Sequence, residues 1–222
     1  MKRITVLLAE DHLIVREGFR SLLKRERDIE VVGEAETGRQ AVQLTRKLRP
    51  DVVVMDIAMP LLNGLEATRQ IRKDFPDTKV LILSAHSDDA YVEQMIELGA
   101  AGFLLKQTSS HDLAEAIRKV SKGNTFFSPA ISKRVKDRRQ KSLDRGEKGS
   151  NRLSSREVEV LQLIAEGKPN KQVAAELGVS FKTVDKHRQH LMSKLDIHDV
   201  AGLTRYAIAE GIIESSVQVT IV

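Results

Sequence analysis

Over the first 121 residues, short apolar runs alternate with stretches whose apolar positions recur every three or four residues. The runs ITVLLA (4–9), EVVGEA (30–35), DVVVMD (51–56), KVLILS (79–84) and GFLL (102–105) have the length and composition of strands. Helical spacing fills the gaps, at Leu13, Val15, Phe19, Leu22 and Leu23; at Ala41, Val42, Leu44 and Leu48; at Leu65 and Ile71; at Tyr91, Met95 and Leu98; and at Leu113, Ile117 and Val120. Thr37 followed by Gln40, and Asn63 followed by Glu66, place a short polar acceptor where a helix begins. Parallel strands need crossover connections, so five repeats of strand then helix predict an α/β doubly wound five-stranded parallel sheet with helices on both faces.

From Gly123 the alternation stops, and the chain runs through NTFFSPAISKRVKDRRQKSLDRGEKGSN, with a short helix expected over 130–139. From Leu153 the pattern is helical throughout. Ser154 and Glu157 form a capping box opening a helix that ends near Gly167, and a second helix spans 170–177. Gly178-Val179-Ser180 is a tight turn, a third helix spans 181–195, and a fourth spans 200–210. The expected organisation is therefore a domain over 1–121, a linker over 122–152 and a small all-α helix-turn-helix domain over 153–222.

Charge sharpens this division. Residues 1–121 hold 18 Lys and Arg against 19 Asp and Glu; residues 122–152 hold 10 against 3; residues 153–222 hold 8 against 9. The excess is confined to the linker, which is either solvated or laid along an anionic partner such as DNA. Cysteine is absent, and the apolar stretch in MKRITVLLAED is too short for a signal peptide core or a membrane span. A soluble, cytoplasmic protein without membrane contact is expected.

In an open parallel sheet, ligands bind beyond the carboxyl ends of the strands. Here those ends carry Glu10 and Asp11, Asp56, Ser84 and Lys106. Any one of these reads equally well as a cap or turn residue. Together they converge three carboxylates, a hydroxyl and an ammonium on one patch. Clustered carboxylates repel unless a cation joins them, and an all-oxygen donor set favours Mg²⁺. A metal, a nucleophilic carboxylate and a charge clamp suit phosphoryl transfer to aspartate.

LLAEDH (7–12), DIAMPLLNG (56–64), ILSAH (82–86) and GAAGFLLK (99–106) together resemble the receiver domain of bacterial two-component response regulators, a flavodoxin-like fold. The resemblance implies that Asp56 accepts a phosphoryl group from a phosphohistidine of a sensor histidine kinase. It further implies that Glu10, Asp11, Asp56 and the Ala58 carbonyl hold Mg²⁺. Ser84 and Phe103 match the family's switch, with Ser84 moving to a phosphoryl oxygen and Phe103 turning inward behind it. The chain departs from the pattern with Glu10 in place of the usual aspartate, whose longer arm suits a water-mediated contact. It departs again with Gln107 in place of proline after Lys106. His86 is a candidate influence on phosphoryl lifetime.

LSSREVEVLQLIAEGKPNKQVAAELGVSFKTVDKHRQHLMSKL (153–195) resembles the LuxR-type DNA-binding domain, so that the whole chain is similar to the NarL/FixJ response regulators. On the third helix, Val184, Leu191 and Leu195 share the inward face, with Lys182, Lys186, Gln189 and Ser193 opposite and Asp185 at the edge. By the resemblance, Lys182, Lys186 and Gln189 meet the major groove, while Asn170, Lys171 and Thr183 touch phosphates. Asp185 stands where the family usually has lysine, which leaves the target sequence open. His187 and His190 lack a third metal ligand.

A nearly neutral module binds DNA weakly alone, so a homodimer promoted by phosphorylation and an inverted-repeat site in double-stranded DNA are expected. Val200, Leu203, Tyr206 and Ala207 on the terminal helix are its expected contact surface. RNA polymerase is a further expected partner. A phosphatase of the haloacid dehalogenase type wants a second acid two residues after the nucleophile, where this chain has Ala58, so no enzyme is expected. The other rival is a constitutive DNA-binding regulator whose receiver only dimerises.

Overall fold

The computed structural model describes residues 3–84, 95, 98–107, 110–127 and 153–213, which form two compact units. In the first, β1 (Ile4–Ala9), α1 (Leu13–Leu23), β2 (Ile29–Ala35), α2 (Gly38–Leu48), β3 (Val52–Asp56), α3 (Gly64–Asp74), β4 (Lys79–Ser84), β5 (Gly102–Leu105) and α4 (Ser110–Ser121) follow in order. The strands form one parallel sheet in the order β2-β1-β3-β4-β5. The doubly wound α/β architecture expected from the apolar pattern is present. The helix expected around Tyr91, along with His86 and the helix expected over 130–139, lies outside the described residues, although Met95 is described and fully buried.

The sheet has a core on each face. Leu7, Val53, Met55 and Ile82 pack with Ala41 of α2 and Leu65, Ala67 and Ile71 of α3. Val6, Leu8, Val54 and Leu81 pack on the other side with Phe19 and Leu23 of α1 and Leu113, Ile117 and Val120 of α4. Covering both faces explains why β3 is apolar without alternation, since each of its residues is buried. Packed chain continues past Ser121. The Phe126 N–H donates to Ala101 and its carbonyl accepts from Phe103, at 3.0 and 2.9 Å, adding a bridge beside Gly102. The Phe126 and Phe127 side chains join the two cores.

The second unit contains α5 (Ser155–Ala165), α6 (Asn170–Leu177), α7 (Phe181–Leu195) and α8 (Val200–Ala209). Gly178 ends α6 in the left-handed region (φ 62°), where a Cβ is disfavoured, and Ser180 caps α7 two residues later. Helices α6 and α7 with this turn make the expected helix-turn-helix. Val184 and Leu191 are buried, as their spacing requires. The terminal helix differs from expectation. Leu203 and Ala207 are fully buried and α8 packs on α5, so these two residues belong to the unit's own core and cannot form a contact surface for a second copy. The outward face of α8 carries Val200, as expected, together with Arg205 and Ile208, while Tyr206 is half-buried.

The capping box at α5 is complete. The Ser154 hydroxyl accepts from the Glu157 N–H at 3.3 Å, and the Glu157 carboxylate accepts from the Ser154 N–H at 2.8 Å and from Lys194 on α7 at 3.1 Å. Ser154→Ala is expected to destabilise this unit by about 1 kcal/mol. Urea titration of the full chain followed by circular dichroism checks it, and Ser154→Thr, which keeps the capping hydroxyl, should recover most of the loss; an unshifted transition in the alanine variant would remove the cap's role.

Candidate functional site

The C-terminal ends of β1, β3, β4 and β5 converge. Glu10 and Asp56 are each 2 % exposed, in a pocket of three carboxylates completed by the part-exposed Asp11. Lys106, just beyond β5, bridges two of them. Its Nζ donates to Glu10 Oε1 at 3.1 Å and lies 2.8 Å from Glu10 Oε2 and 2.9 Å from Asp56 Oδ2, at ion-pair distance without hydrogen-bond alignment. Ser84, buried at the end of β4, accepts the Lys106 backbone N–H through its carbonyl at 2.8 Å. Phe103 is 2 % exposed and already directed into the core, packed among the residues that include Met55, Ile82 and Met95. Ala58 is half-buried in the loop after β3, which turns back so that the Gly64 N–H donates to Ile57 at 2.8 Å.

Burial pushes the Asp56 carboxyl up to about 6, and the Glu10 charge adds to this against the opposing Lys106. Burial alone would lower Lys106, but the attraction of Asp56 and Glu10 outweighs it and raises the ammonium's pKa. Three carboxylates face one lysine, leaving an anionic excess. Glu10 Oε2, Asp11 Oδ1 and Asp56 Oδ2 are shielded from solvent and accept no aligned hydrogen bond among the described residues. Orphaned anionic oxygens of this kind fit a divalent cation with oxygen preference, and Mg²⁺ satisfies charge and chemistry together.

Three contributors escaped the sequence reading. His12 places Nδ1 2.9 Å from Asp11 Oδ1 and 3.1 Å from Glu10 Oε1, and Asp11 first among these raises its pKa. Arg16, 4 % exposed on α1, donates to the Glu10 carbonyl at 2.7 Å, to Glu36 at 2.7 Å and to Glu34 at 3.3 Å. It thereby fixes the backbone that carries the acidic pair. Its signal was a cation at core spacing, three residues before Phe19 and seven before Leu23. Gly64 starts α3 where a Cβ would lie 1.8 Å from the Asp56 carbonyl oxygen, so only glycine lets that helix begin against the end of β3.

In the second unit, Lys171, Lys182, Lys186 and Gln189 are exposed, and Thr183 and Asp185 are half-buried. The Thr183 hydroxyl lies 2.8 Å from that of Ser180 within the α7 cap. Asn170 at the start of α6 accepts from Arg188 of α7 at 3.0 Å, which couples the two helices. Gln189 donates to Asp185 at 3.2 Å. Among the described residues no helix is long and apolar enough to cross a membrane.

A doubly wound sheet with an acidic pocket at its strand ends, followed by a separate helix-turn-helix, defines a two-unit regulator of the sensing and DNA-binding kind. The response regulator receiver domain family matches residues 6–118, and the family of bacterial regulatory proteins of luxR type matches residues 151–207. The chain belongs to the two-component response regulators that join a receiver to a LuxR-type DNA-binding domain. It is 37% identical over 211 residues to the response regulator protein VraR of Staphylococcus aureus, covering 95% of this chain and 99% of that one. A structure of the RcsB response regulator of Salmonella typhimurium matches with a TM-score of 0.61 at 29% identity, over 95% of this chain and 99% of that one. A structure of two RcsB dimers bound to two parallel DNAs matches with a TM-score of 0.55 at 29% identity, over 92% of this chain and 98% of that one.

Proposed function

We propose that the receiver stores a phosphoryl group on Asp56 and that this state favours a homodimer bound to an inverted repeat in double-stranded DNA. The observation that carries the proposal is the convergence of Glu10, Asp11, Asp56 and Lys106 within one pocket. An oxygen of ionised Asp56 attacks phosphorus, the bond from phosphorus to the histidine nitrogen of a sensor kinase breaks, and an acyl phosphate forms. With its pKa at about 6, Asp56 is mostly ionised at neutral pH even before any cation enters.

Glu10, Asp11, Asp56 and the Ala58 carbonyl would hold Mg²⁺, which supplies charge neutralisation at the phosphoryl oxygens. Lys106 transfers its attraction from Asp56 to one of those oxygens, and the Ser84 hydroxyl donates to another. Phe103, at the same strand end, fills the space behind Ser84. The added charge of about −1.5 to −2, by analogy with other phosphorylated side chains, is large enough to bias a two-state surface. In the second unit, Lys182, Lys186 and Gln189 enter the major groove, with Asn170, Lys171 and Thr183 along the phosphates. RcsB, seen as dimers on DNA, supports a dimeric arrangement here. The protein acts in the cytoplasm, as a regulator that engages RNA polymerase at promoters.

The test is intact mass after incubation with acetyl phosphate and Mg²⁺, alongside mobility shift on selected duplex DNA. Wild type should gain one phosphoryl group and bind more tightly; Asp56→Asn should do neither. A wild type that gains no mass, or a variant that gains as much, removes the phosphoryl reading. Equal DNA binding by the two would favour the constitutive regulator instead.

A further inference from the structure

The exposed side of α7 carries a preassembled side-chain pair. Gln189 Nε2 lies 3.2 Å from Asp185 Oδ2, one helical turn away. A carboxylate only accepts, so the amide nitrogen must be the atom that faces it, and the orientation of Gln189 is fixed. The amide keeps its second N–H and its carbonyl; the carboxylate keeps an accepting oxygen. Val184 and Leu191 hold the opposite side of the helix in the core, and Lys182 and Lys186 flank the pair as exposed cations. Among the described residues no cationic nitrogen lies within 4.0 Å of the Asp185 carboxylate. Its charge therefore stays available to whatever the helix faces.

We propose that Asp185 and Gln189 read adjacent bases as one unit, Gln189 pairing with adenine and Asp185 accepting from the amino group of cytosine. This rests on α7 being the helix that enters the major groove. Adenine offers N7 and the N6 amino group, which match one N–H and one carbonyl of an amide. Cytosine offers an N4 donor to the carboxylate. Guanine at that second position turns two acceptors, O6 and N7, toward an anionic acceptor and is rejected. The same carboxylate repels phosphates, so Asp185 lowers affinity for unrelated DNA while it sharpens selection. Because Asp185 orients the amide, removing the carboxylate weakens the adenine preference as well as the cytosine preference. Two independent contacts would not behave so.

Selection from a library of randomised duplexes tests this, using the full chain after acetyl phosphate treatment, as wild type, Asp185→Asn, Asp185→Lys, Asp185→Ala and Gln189→Ala. Melting by circular dichroism confirms that each variant is folded. Wild type should enrich neighbouring adenine and cytosine. Asp185→Asn should lower cytosine discrimination by about 5- to 10-fold, and Asp185→Lys should shift that position to guanine. Asp185→Ala should flatten both positions, whereas Gln189→Ala should flatten adenine alone. Unchanged base preference in every Asp185 variant overturns the proposal, and loss of cytosine with adenine intact in Asp185→Ala overturns the joint reading. If folded wild type retains no duplex, the assignment of α7 to the groove fails with it, a result distinct from retained binding with the wrong bases.

Discussion

Asp56→Asn is expected to stabilise the metal-free receiver at pH 7 by about 3 kcal/mol, although it removes the proposed phosphoryl acceptor. The cause is the environment of the carboxyl. Burial, then the neighbouring Glu10 charge, raises it from 3.8 to about 6 in the folded chain. Between those values the folded state holds a proton that the unfolded state has released, so stability falls as pH rises through the window and stays lost above it. Asparagine has no proton to give up and keeps a polar group beside Lys106. The gap between variant and wild type should be fully open at pH 7 to 8 and should close as pH falls toward 4. Urea titrations of both chains in chelator across that range measure it. A gap that does not vary with pH, or a wild type more stable at pH 7, would refute the assignment of strain to Asp56. Adding Mg²⁺ should narrow the gap at neutral pH, because a cation favours the ionised form.

The second large effect is expected from Gly64→Ala. An added Cβ would lie 1.8 Å from the Asp56 carbonyl oxygen, 2.8 Å from its carbonyl carbon and 3.0 Å from Met55 Cγ. Backbone atoms at the buried end of a central strand cannot turn aside as a flexible side chain does. The first turn of α3 must lift away, straining the Asn63 cap to Glu66 and the Gly64 bond to Ile57. A cost of about 3 kcal/mol, the upper end of the usual overpacking range, is expected, together with slower phosphorylation because Asp56 moves relative to Lys106. Gly18→Ala is the control. Its Cβ meets nothing within 4 Å inside α1, so it should stabilise by about 0.5–1 kcal/mol. Thermal melts and acetyl phosphate kinetics on both variants separate the outcomes; a Gly64→Ala chain matching wild type in both would show that α3 is free to shift.

Much of this architecture was legible in the chain because its signals are local. The uninterrupted apolar run of β3 announced a strand buried on both faces, and the polar residues at or just after the ends of β1, β3, β4 and β5 fell together by strand geometry alone. The boundaries of α6 and α7 followed from a glycine able to adopt positive φ and a serine cap. What was missed depends on contacts distant along the chain. Arg16 reads as an ordinary surface cation until Glu10, Glu34 and Glu36 are brought around it. Phe126 lies past the point where the strand and helix alternation ends, yet it hydrogen-bonds at the edge of β5. An apolar stripe on α8 announced a covered face without saying what covers it, and for Leu203 and Ala207 the answer is this unit's own α5.

Lys106 reaches other strand ends from both of its own, through a main-chain bond to Ser84 of the neighbouring β4 and an ammonium beside Asp56 of β3 and Glu10 after β1. In mechanical terms it is a crossbar. A shift of the Ser84 backbone reaches β5 within one hydrogen bond, and β5 also bears Phe103 and meets Phe126 along its edge. The charge at Asp56 and that outer edge are thus joined through a single residue, Lys106, rather than through a long chain of side-chain rearrangements.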